Sequence, residues 1–171
     1  MIVVINIVNI LFYVIIIVIL IKGCNMNDNS EIIDKLKQII KEKGLKYTKQ
    51  REVIFETILN CKKHLGAEEL YSIILNKYPL EKIGIATIYR ALAFLEDENL
   101  ISSISVGKDA KKFETSFKKH HDHLICVNCN KIIEFVNERI EIEQEKTAQE
   151  NGFKLLNHTM YLYGICKDCQ E

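Results

Sequence analysis

The chain has 171 residues, of which 48% are apolar and one is proline, and its formal net charge at pH 7 is zero. This composition excludes a disordered segment and is that of one compact unit or two small domains. Lysine and arginine outnumber aspartate and glutamate by 17 to 14 between residues 27 and 119, whereas acidic residues outnumber basic ones by 9 to 5 from residue 120 onward. A mildly basic first part permits a nucleic-acid partner without requiring one.

The first 25 residues contain an almost entirely apolar run, residues 2–21, which is long enough to cross a bilayer. No positive charge precedes the run, as a secretory signal would require, and Lys22 makes the sequence before Cys24 a poor lipoprotein cleavage site. Two interpretations remain, a membrane segment or upstream DNA that is not translated. The purine-rich codons of Lys22 and Gly23 resemble a bacterial ribosome-binding site, so we expect the protein to start at Met26 and to have no membrane partner.

A first amphipathic helix is predicted over residues 30–44, with Ser30 as N-cap and Gly44 as C-terminal stop. A second follows Thr48, its predicted N-cap, and a third covers residues 67–78 and is ended by Pro79. The apolar residues that define the inward faces of the first two helices are Ile32, Ile33, Leu36, Ile39 and Ile40, then Val53, Ile54, Ile58 and Leu59.

A fourth helix is predicted over residues 86–100, with Ile88, Leu92 and Leu95 on one face. Thr87, Tyr89 and Arg90 are then near its N-terminal end and partly outward. Two alternating runs, 100–106 and 111–116, flank a turn at residues 107–109 and predict a β-hairpin. Helices followed by a hairpin are the layout of a winged helix-turn-helix, which places one helix in the major groove of DNA. Periodicity alone leaves an unspecific helical bundle open as the alternative.

The second part alternates strand, strand, helix and strand, over residues 121–127, 131–136, 138–151 and 153–166, with Gly152 closing the helix. This order predicts a small α+β unit. Met160, Leu162 and Ile165 suit a dimer interface that extends the sheet, although they could equally face the helix.

Four of the six cysteines form two pairs, Cys126 with Cys129 and Cys166 with Cys169, each with two residues between its members. Two such turns supply four thiolates, the tetrahedral shell of structural zinc, which leaves no open position for a substrate. The alternative is two buried or oxidised pairs. Cys61 falls in a helical pattern and is expected to be a small, at least half-buried side chain.

Three histidines and an aspartate are crowded into residues 120–123. If this stretch is a strand, successive side chains alternate between its faces. His121 and His123 then point one way, and His120 and Asp122 point the other. One short strand could therefore supply two separate metal sites.

These features together resemble the ferric uptake regulator family. The resemblance rests on HLGAEELY (64–71), GIATIYRAL (84–92), KKFE (111–114), HHDHLICVNCNKIIEF (120–135), NHTMYLYGIC (157–166) and the final CKDC, and it spans almost everything from Met26 onward. It implies a homodimeric bacterial transcription regulator of the cytoplasm, with a winged-helix DNA-binding domain at residues 26–117 and a metal-binding dimerisation domain at residues 118–171. The fold class expected is therefore α+β.

The resemblance also implies a role for individual residues. The structural zinc ligands would be Cys126, Cys129, Cys166 and Cys169. A regulatory metal site between the domains would use His64, Glu114, His121, His123 and Glu134. An additional site within the dimerisation domain would use His120, Asp122, Glu141 and His158. DNA would be contacted by Lys46, Thr87, Tyr89 and Arg90, with Lys46 reaching the minor groove.

The function expected is metal-dependent repression of iron-uptake genes from an AT-rich palindromic operator, with Fe²⁺ as the regulatory metal and no small-molecule substrate. Mixed nitrogen and carboxylate ligands also suit Mn²⁺, Co²⁺ or Zn²⁺. Peroxide-sensing relatives typically have aspartate where this chain has Glu114, which favours iron sensing, while zinc- and manganese-sensing relatives stay open. Two rivals from other classes are a zinc metallohydrolase with an open metal position and a metal-buffering protein that never binds DNA.

Overall fold

The computed structural model describes residues 26–106 and 110–170, apart from the side chains of residues 26–28. The apolar run at residues 2–21, Cys24 and the predicted turn at 107–109 lie outside these residues. The elements are helices α1 (Met26–Glu42), α2 (Lys49–Leu59), α3 (Ala67–Lys77), α4 (Ile85–Asp97) and α5 (Glu138–Glu150), and strands β1 (Ile101–Val106), β2 (Ala110–Thr115), β3 (Asp122–Cys126), β4 (Ile132–Phe135) and β5 (Tyr161–Gly164). Two short 3₁₀ turns follow at Pro79–Glu81 and Lys167–Cys169. No helix in the described part of the chain is long and apolar enough to span a membrane.

Helix α1 begins at Met26, so the prediction that Ser30 is its N-cap is wrong. Residues 27–29 are helical as well, and Ser30 therefore lies in the second turn. The predicted C-terminal stop is confirmed, because Gly44 has a φ of +64°. Its N–H donates to the carbonyl of Lys41 and the N–H of Leu45 donates to that of Ile40, both at 3.0 Å. These two bonds form a Schellman motif, in which glycine adopts the left-handed conformation without steric cost.

Helix α2 begins after Thr48 as predicted, and α3 begins and ends within one residue of its predicted bounds. The Thr48 hydroxyl accepts a hydrogen bond from the N–H of Arg51 at 3.4 Å, which confirms the predicted N-cap of α2. Of its predicted inward residues Leu59 is half-buried rather than buried, and the fully buried Phe55 was missed. Helix α3 ends at Lys77, two residues before Pro79, because the proline ring excludes the helical conformation from the residue before it.

The hairpin of β1 and β2 is antiparallel, and Ile101 pairs with Thr115. The loop before α3 joins this hairpin through Leu65, whose N–H and carbonyl both bond Phe113 at 2.9 Å. Helices α1–α4 enclose one apolar core, to which the buried Ile88, Leu92 and Leu95 of α4 contribute as predicted. Four helices and a hairpin in this order form a winged helix-turn-helix.

The second sheet has the strand order β4–β3–β5, in which β3 is antiparallel to β4 and parallel to β5. Helix α5 lies in the connection from β4 to β5, capped by the Asn137 side chain, which accepts from the N–H of Arg139 at 3.0 Å. Gly152, with a φ of +77°, follows the helix as predicted. No residue of α5 is buried, so this helix has little apolar support from its own chain.

The last strand is much shorter than the predicted span of residues 153–166. Only Tyr161–Gly164 pairs, with Tyr161 opposite His123 and Gly164 opposite Cys126. The N–H of His123 donates to the Met160 carbonyl at 3.2 Å, but the chain before β3 offers no strand to residues 153–159. The apolar pattern of residues 153–159 was therefore read wrongly as strand. Leu162 and Ile165 are exposed, whereas Met160 is half-buried and its sulfur accepts from the Gln144 amide at 3.9 Å.

A second, smaller apolar cluster packs the two parts of the chain together. Ile104 and Val106 of β1 contact Ile125 of β3, and Ile132 of β4 packs against them. Residues 116–121 form the connection between β2 and β3. The winged helix and the second sheet are thus held side by side by this cluster and by one short linker.

Candidate metal centres and nucleic-acid interface

The four paired cysteines converge at one end of the second sheet. Cys126 ends β3 and Cys129 lies in the turn before β4, while Cys166 and Cys169 follow β5. The four sulfur atoms all lie within 4.8 Å of one another, and those of Cys129 and Cys166 are 3.6 Å apart. Ligands 2.3 Å from a tetrahedral zinc are about 3.8 Å apart, whereas a disulfide bond is about 2.05 Å long. All four cysteines are free thiols in the structure, so the geometry fits a zinc site and shows no oxidised pair among them.

The thiols of this cluster do not ionise equally. Backbone N–H groups of Cys166 and Cys129 point at the Cys126 sulfur and lower its pKa to about 6. Hydrogen bonds with Cys166 and Cys129 raise the pKa of Cys169 to about 12. Four thiolates at these distances repel one another, so the chain needs a bound cation to hold all four in the ionised form that zinc requires.

A second cluster joins the winged helix to the second sheet. His64 lies in the loop before α3 and Glu114 in β2, and the Leu65–Phe113 backbone bridge fixes these two side chains next to each other. His123, in β3, and His121, which directly precedes this strand, come from the other side. The antiparallel register sets Glu134 of β4 directly opposite His123. Both halves of the molecule therefore contribute to one cluster.

The ligand atoms of His64, Glu114, His121 and His123 lie within 4.8 Å of one another. The two Nε2 atoms of His64 and His123 are 3.1 Å apart. The Glu114 carboxylate approaches His64, His123 and His121 at 3.3, 3.5 and 3.2 Å. Ligands 2.0–2.1 Å from a tetrahedral ion are about 3.3 Å apart, so this donor set fits a divalent metal.

Glu134 lies at the margin of this cluster. Its carboxylate is 3.5 Å from His64 and 3.8 Å from His121, and it is outside the group of four whose atoms mutually converge. It accepts instead from the ammonium of Lys118 at 2.6 Å, and the same ammonium is 3.0 Å from Glu114. Of the five predicted regulatory residues, the structure thus brings four into one group and places the fifth beside it.

Glu114 and His123 are in the protonation states that a metal site needs. Burial raises the pKa of Glu114, but hydrogen bonds from His64 and Lys118 outweigh it and hold that pKa at about 2. Burial lowers the pKa of His123 and keeps the ring neutral, while its Nδ1 atom is buried without a hydrogen-bond partner. An ionised carboxylate and neutral imidazoles are the forms in which these side chains bind metals.

A third cluster lies within the second part of the chain. The ligand atoms of His120, Asp122, Glu141 and His158 lie within 4.8 Å of one another. Glu141, on α5, is 3.5 Å from His120 and 3.3 Å from His158. Asp122 is 0% exposed, and neither of its carboxylate oxygens has a hydrogen-bond partner. A buried carboxylate without a partner is costly unless a cation compensates its charge, so this set also fits a metal.

The structure groups residues 120–123 as the alternation predicts, although strand β3 begins only at Asp122, so that His120 and His121 precede it. His121 and His123 belong to the interdomain cluster, whereas His120 and Asp122 belong to the third one. The two clusters lie on opposite faces of the same strand, as the period of two requires.

The residues predicted to contact DNA are accessible. Tyr89 is 50% exposed and Arg90 is exposed near the start of α4, with the Arg90 guanidinium donating to the Thr87 hydroxyl at 3.3 Å. Lys46 is exposed in the loop between α1 and α2. Tyr89 and Arg90 are thus exposed at the N-terminal end of α4, with the half-buried Thr87 beside them, and this is the end of a recognition helix that meets base edges in other helix-turn-helix proteins.

Two side chains near these sites were missed by sequence reasoning. The Tyr89 hydroxyl donates to the Glu68 carboxylate of α3 at 2.5 Å, a bond that raises the pKa of Tyr89 and lowers that of Glu68. Lys118 bonds two carboxylates of the interdomain cluster. Neither has a sequence signal, because both contacts join positions that only the tertiary structure brings together.

Comparison with known proteins agrees with these observations. The model of the Ferric uptake regulator family matches residues 42–163. The chain is 49% identical over 140 residues to the ferric uptake regulation protein of Campylobacter jejuni, a match that covers 82% of this chain and 89% of that protein. The names of the family and of this relative are those of a regulator and not of an enzyme.

Two solved structures share the fold. The Helicobacter pylori ferric uptake regulator, which has three functional metal-binding sites, matches with a TM-score of 0.75 and 39% identity, over 83% of this chain and 93% of that chain. The Vibrio cholerae ferric uptake regulator matches with a TM-score of 0.64 and 38% identity, over 75% and 98% of the two chains. With this coverage and identity, the chain belongs to the ferric uptake regulator family.

Proposed function

We propose that this chain is a metal-responsive, DNA-binding repressor of iron-uptake genes that acts as a homodimer in the bacterial cytoplasm. Family membership supports a regulator of iron uptake. The observation that carries the metal response is the interdomain cluster, in which ligand atoms from the winged helix and from the second sheet converge within 4.8 Å. A site with ligands on both sides of a linker can couple metal binding to domain arrangement.

The proposal assigns Zn²⁺ to Cys126, Cys129, Cys166 and Cys169 as a structural metal. It assigns Fe²⁺ to His64, Glu114, His121 and His123 as the regulatory metal, with Glu134 as a further ligand or an immediate neighbour. An additional metal is assigned to His120, Asp122, Glu141 and His158. The chemistry of each donor set supports its assignment, since thiolates select zinc, and mixed imidazole and carboxylate suit Fe²⁺ and its neighbours.

The regulatory mechanism is one of linkage between two sites. When bound, the divalent ion supplies the positive charge that lets imidazoles and carboxylate from both parts meet at one point. His64 and Glu114 are tied to the winged helix through the Leu65–Phe113 bridge, and His121 and His123 are tied to the second sheet through β3. Their convergence restricts the linker at residues 116–121. A coupling of this kind is typically worth about 1–3 kcal/mol, or roughly 5- to 150-fold in DNA affinity.

The DNA partner proposed is an AT-rich palindrome. In this proposal the exposed Tyr89 and Arg90, with Thr87, reach base edges in the major groove, and Lys46 reaches the minor groove. A symmetric dimer presents two copies of α4, and the bound metal would keep them at one separation. This separation can match the fixed spacing between the two half-sites of a palindrome. The exposed apolar residues of the second sheet support a dimer.

Other metals are alternatives within the same family. Mn²⁺ and Zn²⁺ suit the same nitrogen and oxygen ligands, so zinc, manganese or peroxide sensing is the second candidate. Glu114, where peroxide-sensing relatives typically have aspartate, favours iron. The metallohydrolase and metal-buffer hypotheses have no support from the family or its relatives.

The decisive experiment removes one ligand of the interdomain cluster. Zinc-loaded wild-type protein and its His121→Ala variant are titrated with a labelled AT-rich palindrome, anaerobically, with and without Fe²⁺, at one stated salt concentration. We expect Fe²⁺ to tighten DNA binding by wild type and to have no effect on the variant, while both retain one zinc per chain. An unchanged Fe²⁺ response in the variant would contradict the assignment of the regulatory site.

A further inference from the structure

Lys118 has an unusual position in the linker between the two halves of the molecule. Its ammonium is 2.6 Å from Glu134 Oε1, on β4, and 3.0 Å from Glu114 Oε2, on β2. One cation therefore joins a carboxylate of the winged helix to a carboxylate of the second sheet. The side chain is only 22% exposed, so this is not a solvated surface contact.

Each carboxylate oxygen that Lys118 holds also approaches a histidine of the interdomain cluster. Glu114 Oε2 is 3.2 Å from His121 Nε2, and Glu134 Oε1 is 3.5 Å from His64 Nδ1. The ammonium and a divalent ion in this cluster would therefore draw on the same two carboxylates. Two cations so close repel each other strongly at a site with limited exposure to water.

We propose that Lys118 is an internal competitor of the regulatory metal and sets the metal concentration at which the protein responds. In the metal-free protein the ammonium neutralises Glu114 and Glu134. Metal binding then has to overcome this pairing, because the carboxylates cannot give their full charge to both cations. This inference rests on the proposed regulatory site.

The chemistry of a lysine side chain suits this role. The ammonium is a compact charge on a flexible four-carbon stem, so it can leave a carboxylate and reach water without moving the backbone. The neighbouring Lys119 is exposed. Removing its charge changes the local potential but breaks neither carboxylate contact, which makes Lys119→Met a matched control.

Competition and support make opposite predictions for the same variant. If Lys118 competes with the metal, Lys118→Met binds metal more tightly, although the metal-free protein is less stable because Glu114 has lost a cationic partner. If Lys118 instead orients the carboxylates for the metal, both metal affinity and stability fall. Because hydrogen bonds between charged groups are strong, competition predicts that the metal dissociation constant of Lys118→Met falls by roughly tenfold.

The experiment measures Mn²⁺ binding by isothermal titration calorimetry with zinc-loaded, full-length protein. All variants carry His158→Ala, so that the third cluster does not add a second binding event. The variants are Lys118→Met, Lys118→Gln, Lys118→Arg and Lys119→Met, with His121→Ala as the variant lacking the regulatory site. The melting temperature without Mn²⁺ is measured for each by circular dichroism, and zinc content verifies folding.

We expect Lys118→Met and Lys118→Gln to bind Mn²⁺ about tenfold more tightly and to melt at a lower temperature without Mn²⁺. Lys118→Arg and Lys119→Met should stay close to the background protein. Unchanged or weaker Mn²⁺ binding by both neutral Lys118 variants overturns the inference while leaving the regulatory site intact. If His121→Ala also binds Mn²⁺ like the background protein, the regulatory site itself is refuted, and the inference falls with it.

Discussion

The carboxylate of Asp122, in the third cluster, is buried in a way that destabilises the fold unless a cation is bound. Asp122 is fully buried and neither of its oxygens has a hydrogen-bond partner. The nearest donors, His120 and His158, are 3.6 and 3.8 Å from it, too far for hydrogen bonds. Removing one partner of a buried charge typically destabilises a protein by about 3–5 kcal/mol. Without a bound cation, the buried charge of Asp122 is uncompensated and destabilises the folded state for the same reason.

Asp122 therefore gives a direct test of the third cluster. Added Mn²⁺ should raise the melting temperature of zinc-loaded wild type through both the interdomain and the third cluster, and Asp122→Asn should lose the part of this increase that the third cluster contributes, because an amide binds the ion weakly. The exposed Asp97 offers the control Asp97→Asn, which should respond to Mn²⁺ as wild type does. An equal Mn²⁺ response in Asp122→Asn would show that the third cluster binds no metal. Thermal melts followed by circular dichroism are sufficient.

At the scale of elements, helix α4 exposes the two residues that we propose to contact DNA most directly. Ile88 and Leu92 are buried against the core, which turns Tyr89 and Arg90 outward. The bond from Tyr89 to Glu68 also limits the orientation of the tyrosine ring. Helices α3 and α4 together therefore determine how the side chains of this surface are oriented.

Replacing Arg90 should weaken operator binding without affecting metal binding. For Arg90→Ala we expect a loss of about 1–3 kcal/mol in DNA binding and a relaxed preference at one base pair. Lys46→Ala should weaken binding to all sequences more evenly and reduce its salt dependence. Lys154→Ala, in the second part of the chain, is the control. Fluorescence anisotropy with the palindrome and a scrambled duplex separates these outcomes, and equal losses on both duplexes by Arg90→Ala would exclude base reading.

The zinc cluster anchors the short last strand of the second sheet. Strand β5 has four residues, and the cysteines at its C-terminal end connect it to the end of β3 and to the turn before β4. Few apolar contacts could replace these connections, since Ile125 and Cys126 are the only buried hydrophobic residues described beyond Phe113. In such a small unit a metal contributes directly to the free energy of folding.

Zinc removal should therefore unfold the second part before the first. Cys169→Ser, or chelation of zinc from wild type, should abolish dimer formation while most of the helical circular dichroism signal of α1–α4 remains. Cys61→Ser, which changes a cysteine outside the cluster, should keep both zinc and the dimer. A zinc-free protein that stays dimeric in analytical ultracentrifugation would refute the structural role of this metal.

How far the sequence predicted these elements depends on the range of the interaction that forms them. Thr48 and Gly44 were placed correctly because caps and left-handed stops are local. Ser30 was placed wrongly because a residue type that favours the N-cap does not exclude a helix that begins earlier, and residues 27–29 before it are helical too. The strand at residues 153–166 was overextended, since an apolar run does not reveal how many residues its partner strand offers. The contacts of Glu134 and Lys118 depend on tertiary distances, which spacing along the chain does not encode.

At the scale of the whole molecule, the second part lacks a core of its own. One face of its sheet exposes apolar side chains on all three strands, among them Leu124, Ile133 and Leu162. Exposed apolar patches of this kind mark interfaces, and β5 is an edge strand with unpaired backbone groups. A second copy of the chain would cover both features.

A single charge in this patch should prevent dimer formation. Leu162→Glu is expected to give a monomer that retains zinc but loses affinity for the palindrome, because only one half-site is then bound at a time. Leu80→Glu, at an exposed leucine of the first part, is the matched control. Sedimentation velocity reports the oligomeric state, and a dimeric Leu162→Glu variant would place the interface elsewhere.

Strand β3 and the two residues before it contribute to all three clusters, through His121 and His123, through His120 and Asp122, and through Cys126. Loss or gain of one residue within this stretch would exchange its two faces and misdirect every one of these side chains at once. Substitutions can tune each metal separately, but length changes here cannot. Natural variation and protein engineering should thus tolerate many replacements along this strand and almost no insertion or deletion.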